Sequence, residues 1–204
     1  MIMRIRHIWF DFTDTIASID RSVLDGLIYT LYAEAKKQGI TPALIEEYKA
    51  ELKARKSNSA VFAALGFPAG YLSDRINDRS GMYTLTDRHI PEVLQKLSAL
   101  LPVSVFSNSR LTTVLPQLDI KLEWFTHILG PDVVKNPKPA PDGFLKMVEL
   151  SGIASRELLF IGDDVEKDLV PAKALGITTG LLWQKSDEAD YCFEDFKDVL
   201  SRFE

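Results

Sequence analysis

Residues 158–183 read LLFIGDDVEKDLVPAKALGITTGLLW, and the fold turns on this stretch. Leu158 to Ile161 is a short unbroken apolar run, the pattern of a strand buried on both faces. Gly162, Asp163 and Asp164 end it in a polar turn; Val165 to Leu175 then reads as a helix, and Thr178 to Leu182 as a second strand. Strands that alternate with helices imply a parallel, doubly wound sheet.

The alternation extends outward from this unit. A helix is expected from Pro91 to Leu101, a strand from Val103 to Phe106, a helix near Leu111 to Leu118, a short strand around Ile128 and a helix from Pro141 to Ser151. A last helix follows from Glu194 to Phe203. At the other end, Arg4 to Phe10 reads as a buried strand stopped by Asp11. In between, from Ser22 to about Ser80, the period is helical. Leu24, Leu27, Ile28, Leu31, Tyr32 and Ala35 recur at three- and four-residue spacings, with Gly39 as the expected C-terminal cap. Thr41 and Pro42 supply an N-cap and a first-turn proline to a helix carrying Ile45, Tyr48, Lys49 and Leu52 on one side. A third short helix through Val61, Phe62 and Leu65 stops at Gly66. The expected fold is therefore α/β: a Rossmann-like doubly wound parallel sheet, residues 1–16 and 88–204, with an all-helical cap, residues 17–87, inserted after the first strand.

Composition narrows the function. The 24 Lys and Arg are outnumbered by 29 Asp and Glu, a formal charge of −5, the opposite of a phosphate-tracking surface, so nucleic acid is not the expected partner. The apolar run Ile8-Trp9-Phe10 is cut by Asp11, too short for a signal sequence, and no stretch approaches the ~18 apolar residues of a membrane span. The single cysteine, Cys192, excludes an internal disulfide and a cysteine metal site. A cytoplasmic protein, monomeric or homodimeric, is expected.

The polar residues that end the strands carry the chemistry. Asp11, Ser107-Asn108 and Gly162-Asp163-Asp164 would converge at the carboxyl edge of the sheet, where open α/β sheets bind ligands. Asp11, Asp163, Asp164 and Asp168 form an oxygen-rich set suited to Mg²⁺, which prefers a few carboxylates together with water and phosphate oxygens. Ser107 and Asn108 offer a hydroxyl and an amide to a tetrahedral oxyanion, and Lys138, in the stiff run Asn136-Pro137-Lys138-Pro139, adds a point positive charge. A carboxylate nucleophile in such a pocket can attack phosphorus and split one displacement into two, with Asp11 the candidate.

Four segments, IWFDFTDTI, VFSNS, NPKPAPDGF and LLFIGDDVEKDLVPAKALGITTGLLW, together make the chain resemble the haloacid dehalogenase superfamily of phosphotransferases over nearly its whole length. The resemblance implies that Asp11 is the nucleophile and a metal ligand, that Ser107 and Lys138 hold the phosphoryl group, and that Asp163 and Asp164 bind Mg²⁺ with Asp168 in support. It also implies that the backbone carbonyl of Thr13 completes the coordination, and that the substrate is a small phosphorylated metabolite.

One position departs from the family pattern. The first motif is ordinarily DxDGT, whose second Asp protonates the leaving group and later activates water, whereas this chain reads Asp11-Phe12-Thr13-Asp14-Thr15. Acid–base catalysis is typically worth about 10²–10⁴-fold, so Thr13 should slow both half-reactions. Three alternatives follow: a member that binds a phosphorylated ligand without turnover; a phosphotransfer enzyme; or a phosphonate-cleaving enzyme drawing on Lys49, Lys53 or Lys56 of the cap. Asp14, or a group from the cap, could stand in for the missing acid. Plainer roles are expected of Asp14 and Asp20 as turn and cap residues, of Thr15 as a loop support, and of His7, His89, His127, Trp9, Trp124 and Trp183 as structural residues.

Overall fold

In the computed structural model, which describes residues 5–79 and 81–204, six parallel strands form one sheet in the order β5-β4-β1-β6-β7-β8. Strand β1 (His7–Phe10) lies between β4 (Val103–Phe106) and β6 (Leu158–Gly162); β5 (His127–Leu129) extends one side, and β7 (Thr178–Leu182) and β8 (Tyr191–Phe193) the other. Register is continuous through the centre, with Phe10 opposite both Val105 and Ile161. Arg4 and Ser80, the expected limits of the first strand and of the helical stretch, lie outside the described residues.

Alternating side chains give the sheet two buried faces, because successive residues of a strand point to opposite sides. Ile8, Phe10, Val103, Val105, Leu159 and Ile161 pack with Val93, Leu94 and Leu97 of α5 (Ile90–Leu100) and Phe196 and Val199 of α8 (Phe196–Ser201). On the other face, Trp9, Phe106, Leu158 and Phe160 pack with Phe144 and Met147 of α6 (Asp142–Ser151) and Ala172 of α7 (Val170–Ala174). Each large apolar side chain so buried contributes about 1.5–3 kcal/mol. Gly143 permits the close approach of α6, since a Cβ there would fall 1.9 Å from the Phe106 ring.

The segment after β1 holds four helices among the described residues: α1 (Arg21–Lys36), α2 (Pro42–Arg55), α3 (Asn58–Ala64) and α4 (Tyr71–Asn77). They bury a cluster of their own that includes Leu27, Ile28, Tyr32, Leu44, Tyr48, Phe62, Leu72 and Ile76. Asp20 caps α1 by accepting from the N–H groups of Ser22 and Val23, and Thr41 caps α2 through Leu44 N–H with Pro42 in the first turn. Two short antiparallel strands, β2 (Ala17–Ile19) and β3 (Tyr83–Leu85), pair where the chain leaves and re-enters the sheet region.

Several expectations are corrected. Helix α1 ends at Lys36 with Lys37 in the left-handed conformation, so Gly39 is not its cap. The buried side of α2 is Leu44 and Tyr48, while Lys49 points outward and pairs with Glu46 at 2.8 Å. Leu111 to Leu118 contains only a 3₁₀ turn, Leu115–Leu118, which holds Pro116; the last helix spans Phe196–Ser201; α4 falls within the stretch expected to be helical, whereas β2, β3 and β8 are strands that the pattern does not indicate. The expected helix Val165–Leu175 is divided. Its first turn, Val165–Leu169, is a π-turn closed from Val170 N–H to the Val165 carbonyl, and α7 follows. Pro171 has no N–H to continue the α-helical ladder, and the slipped register ahead of it meets that constraint.

Candidate active site

The carboxyl ends of β1, β4 and β6 open into a cavity of about 220 Å³ whose opposite wall comes from α1–α4. Asp11, Thr13, Ser107, Asn108, Lys138, Asp163 and Asp164 all line it. Strand geometry explains the convergence: Asp11 N–H still donates to the Ile161 carbonyl at 2.8 Å, as a further residue of the parallel ladder, and Ser107 N–H donates to the Leu129 carbonyl at 3.0 Å.

Lys138 is the centre of the electrostatics. Its side chain is 1% exposed, and Nζ donates to Asp11 Oδ1 at 2.6 Å and to Asp168 Oδ1 at 2.7 Å. The same ammonium lies 5.1 Å from the Phe106 ring centroid and 5.3 Å from that of Phe160. A buried cation needs such partners, because desolvating it alone costs several kcal/mol. Asp11 is 2% exposed, and its Oδ2 is buried without a hydrogen-bond partner.

Oxygens of Asp11, Asp163 and Asp168 lie within 4.8 Å of one another. Burial, and then the charge of Asp11, push the Asp163 carboxyl up to about 7, and the same causes raise Asp168. Burial alone would lower the pKa of Lys167, but Asp168, Asp11, Asp163 and Asp164 act against it and the net direction is upward. Excess negative charge plus an unpartnered oxygen on Asp11 fits a hard divalent cation such as Mg²⁺, with Asp11 and Asp163 as the available carboxylates. Asp168 is fully buried with Oδ1 on Lys138 and Oδ2 3.4 Å from Asp164 N–H. Gly162 allows this, since a Cβ there would meet Asp168 Oδ2 at 2.5 Å. Asp164 stands apart from the cluster: it caps the π-turn by accepting from Lys167 N–H at 2.9 Å.

The other expected residues divide in the same way. Ser107 Oγ accepts from Ser109 N–H at 3.1 Å at the edge of the cavity. Asn108 lines the cavity, but its amide is committed to bracing: Oδ1 accepts from Lys138 N–H at 2.7 Å, and Nδ2 donates to the Lys138 carbonyl and Ser57 Oγ, each at 3.2 Å. It therefore fixes the lysine loop, whose Lys138-Pro139 peptide is cis, and ties it to Ser57 between α2 and α3. Thr15 supports the loop as expected, donating to Asp163 Oδ1 at 3.0 Å. Asp14 adopts φ +62°, a conformation that favours glycine, and its carboxylate accepts from Arg21 at 2.8 Å. Of Lys49, Lys53 and Lys56, only Lys56 lines the cavity, and its ammonium is paired with Glu166 of the π-turn.

Two further residues brace the site: Trp183, expected only as a structural residue, and Gln184, for which the sequence carries no signal. Trp183 Nε1 donates to the Asp14 carbonyl at 3.1 Å, and Gln184 Nε2 to the Asp163 carbonyl at 2.5 Å. Adjacent residues after β7 thus hold the loop of Asp14 and the loop of Asp163. Trp183 does so with φ +71°, an uncommon value for a non-glycine residue.

Residues 5–176 match the haloacid dehalogenase-like hydrolase family. The chain belongs to this family of hydrolases. Among its relatives, the phosphoglycolate phosphatase of Escherichia coli K12 is 31% identical over 123 residues, which is 55% of this chain and 48% of that protein. The phosphoglycolate phosphatase of Photorhabdus laumondii is 28% identical over 97% of this chain and 92% of the relative. The chain thus spans about half the length of the E. coli relative within the matched region. The haloacid dehalogenase fold is shared with a phosphatase of that superfamily from Thermococcus onnurineus, with TM-score 0.71, 18% identity and 97% of each chain covered. It is also shared with a predicted phosphoglycolate phosphatase from Haemophilus somnus 129PT, with TM-score 0.66, 18% identity and 100% of each chain covered. Among the described residues, no helix is long and apolar enough to cross a membrane.

Proposed function

We propose that this haloacid dehalogenase-like hydrolase is a Mg²⁺-dependent phosphohydrolase of small phosphorylated metabolites, acting through an aspartyl-phosphate at Asp11. The observation that carries the reading is the state of Asp11: buried, held through Oδ1 by Lys138, with Oδ2 unpartnered beside the cavity. One carboxylate oxygen is fixed and the other is available to attack phosphorus.

Asp11 and Asp163 would hold the cation, with Asp168 in support through Lys138. When bound, Mg²⁺ would offset the charge of phosphoryl oxygens. Lys138 and the Ser107 hydroxyl would orient the phosphoryl group, and Asn108 would keep Lys138 in place. Residues 17–87 would act as a cap over the core of residues 1–16 and 88–204, excluding bulk water from the cavity. A cavity of about 220 Å³ favours small substrates over protein-borne phosphate. Phosphoglycolate, the compound for which the E. coli and Photorhabdus relatives are named, is the first to test.

The test is phosphate release from a panel of sugar, nucleotide and small organic phosphates with Mg²⁺, comparing wild type with Asp11→Asn. Turnover of one or more compounds by wild type, abolished in Asp11→Asn, supports the reading. A wild type that binds these compounds with no turnover supports a sensor instead.

A further inference from the structure

Thr13 leaves the reaction without a proton carrier where the first motif ordinarily supplies one, and the cavity contains the groups from which a replacement must come. Most are already engaged. The Asp14 carboxylate is bonded to Arg21, Lys56 to Glu166, Lys138 to Asp11 and Asp168, and Asp164 to Lys167 N–H, while the Lys167 ammonium, also in the lining, lies 3.9 Å from Asp164 Oδ2. Asp163 belongs to the acidic cluster and accepts from Thr15. Among the described residues, no histidine lines the cavity.

Tyr83 remains. It lies on β3, opposite Ile19 of β2, where the cap joins the core, and it lines the same cavity as Asp11 and Thr13. Its ring meets Phe12 edge-on at 5.1 Å, so it packs against the residue between Asp11 and Thr13. Asp14 and Asp11 are the charges that raise the pKa of its hydroxyl, and the Ser109 side chain opposes them. Burial first, and then those two charges, raise its pKa, so the phenol keeps its proton near neutral pH and its phenolate is a strong base.

We propose that Tyr83 carries the proton that Thr13 cannot, as donor to the leaving oxygen and then as acceptor from the attacking water. The proposal rests on the phosphohydrolase reading above. In the first half-reaction an Asp11 oxygen bonds to phosphorus, the bond from phosphorus to the alkoxy oxygen breaks, and the Tyr83 proton passes to that oxygen, releasing the alcohol and leaving a phenolate. In the second, water attacks the aspartyl-phosphate, its proton returns to Tyr83, and Asp11 leaves as the carboxylate with inorganic phosphate released. The sum is hydrolysis of the ester with Tyr83 and Asp11 restored.

The experiment uses the full chain with Mg²⁺ and compares wild type, Tyr83→Phe, Thr13→Asp and the double variant on phosphoglycolate, glycerol phosphate and p-nitrophenyl phosphate. Phenylalanine keeps the ring, so the melting temperature should be unchanged. For the alkyl phosphates, Tyr83→Phe should lower kcat about 10²-fold or more with KM little changed. The nitrophenolate leaving group needs no proton, so p-nitrophenyl phosphate should show a stoichiometric burst before slowed turnover, with aspartyl-phosphate trapped by acid quench. In the Thr13→Asp background the loss caused by Tyr83→Phe should disappear, whereas a merely structural role for the tyrosine hydroxyl would cost the same factor in both backgrounds. Turnover of Tyr83→Phe within about threefold of wild type on alkyl phosphates, or a loss that Thr13→Asp does not rescue, overturns the assignment while leaving the phosphohydrolase reading standing. A wild type silent on every phosphate overturns both.

Discussion

Lys138 Nζ and Asp11 Oδ1 meet 2.6 Å apart in the interior, with the two side chains 1% and 3% exposed. The lysine also bonds Asp168, so one ammonium serves two buried carboxylates that lie in an acidic cluster. Removing it as Lys138→Met leaves both uncompensated. Such a loss costs about 3–5 kcal/mol for a buried pair, so the urea midpoint should fall sharply. Under conditions where the variant remains folded, kcat should drop about 10²–10³-fold or more, as when a preorganised donor to a developing charge is lost. Lys138→Arg should not rescue, because a planar guanidinium does not fit the space between two carboxylates and the faces of Phe106 and Phe160. A Lys138→Met protein with wild-type stability would contradict this account.

Asp163 gives a prediction of opposite sign for stability. Its carboxyl is raised to about 7 by burial and by Asp11, so its charged form opposes folding while no cation is bound. Asp163→Asn should therefore stabilise the metal-free protein at pH 8, by roughly 2–4 °C in Tm for each kcal/mol recovered. The same change should abolish the rise in Tm produced by Mg²⁺, since an amide replaces a charged ligand. Thermal melts with and without Mg²⁺ check both halves, and a variant that still responds to the ion would remove Asp163 from the cation site.

The contrast between these residues and their supports shows what a sequence reveals. Asp11, Ser107 and Asp163 were legible because each ends an apolar run, and parallel strands bring such ends to one edge. The commitment of Asn108 was not, because an amide that braces Lys138 through two bonds and one that binds a ligand have the same spacing. Strands β2 and β3 escaped because three residues at 17–19 and three at 83–85 carry no periodic signal, and their pairing depends on the helices between them bringing them together. The Val165–Leu175 segment was legible as helical but not as divided, although Pro171 held the physical reason. Family resemblance supplied glycine at position 14, and the observed φ of +62° there explains that preference.

Gln184 is a support whose removal can be separated from folding. Its side chain donates to the Asp163 carbonyl from an exposed position, so Gln184→Ala loses one hydrogen bond, about 0.5–1.5 kcal/mol, and no core packing. The expected result is a Tm within a few degrees of wild type and a several-fold higher Mg²⁺ concentration for half-maximal effect. Calorimetric titration with Mg²⁺ reads this without relying on turnover. Unchanged Mg²⁺ affinity would mean that the acidic loop holds its own conformation.

The remaining prediction concerns pH and lies away from the cavity. His7 is buried in β1, hydrogen-bonded to Ser104 Oγ at 2.8 Å and clustered with the rings of Trp9 and His127, whose centroids lie 5.4 and 6.1 Å away and which stack on each other at 5.8 Å. Burial, and then His127, lower its pKa to about 4. Between 6.5 and 4 the unfolded chain binds a proton that the folded chain refuses, so the contribution of His7 is fully present above pH 6.5 and lost as pH falls through that window. At pH 5 the loss should be about 2 kcal/mol relative to pH 8. Asp163 opposes this, because its raised pKa makes the folded state the stronger proton binder between 3.8 and about 7. The slope of wild type alone therefore mixes two signs, and the informative quantity is the difference between wild type and His7→Phe. Urea unfolding at pH 8, 6 and 5 should show the variant gaining about 2 kcal/mol on wild type at the acid end, whatever its stability at pH 8. Parallel pH profiles for the two proteins would mean that His7 is protonated in the folded state, and that the Ser104 contact does not depend on a neutral ring.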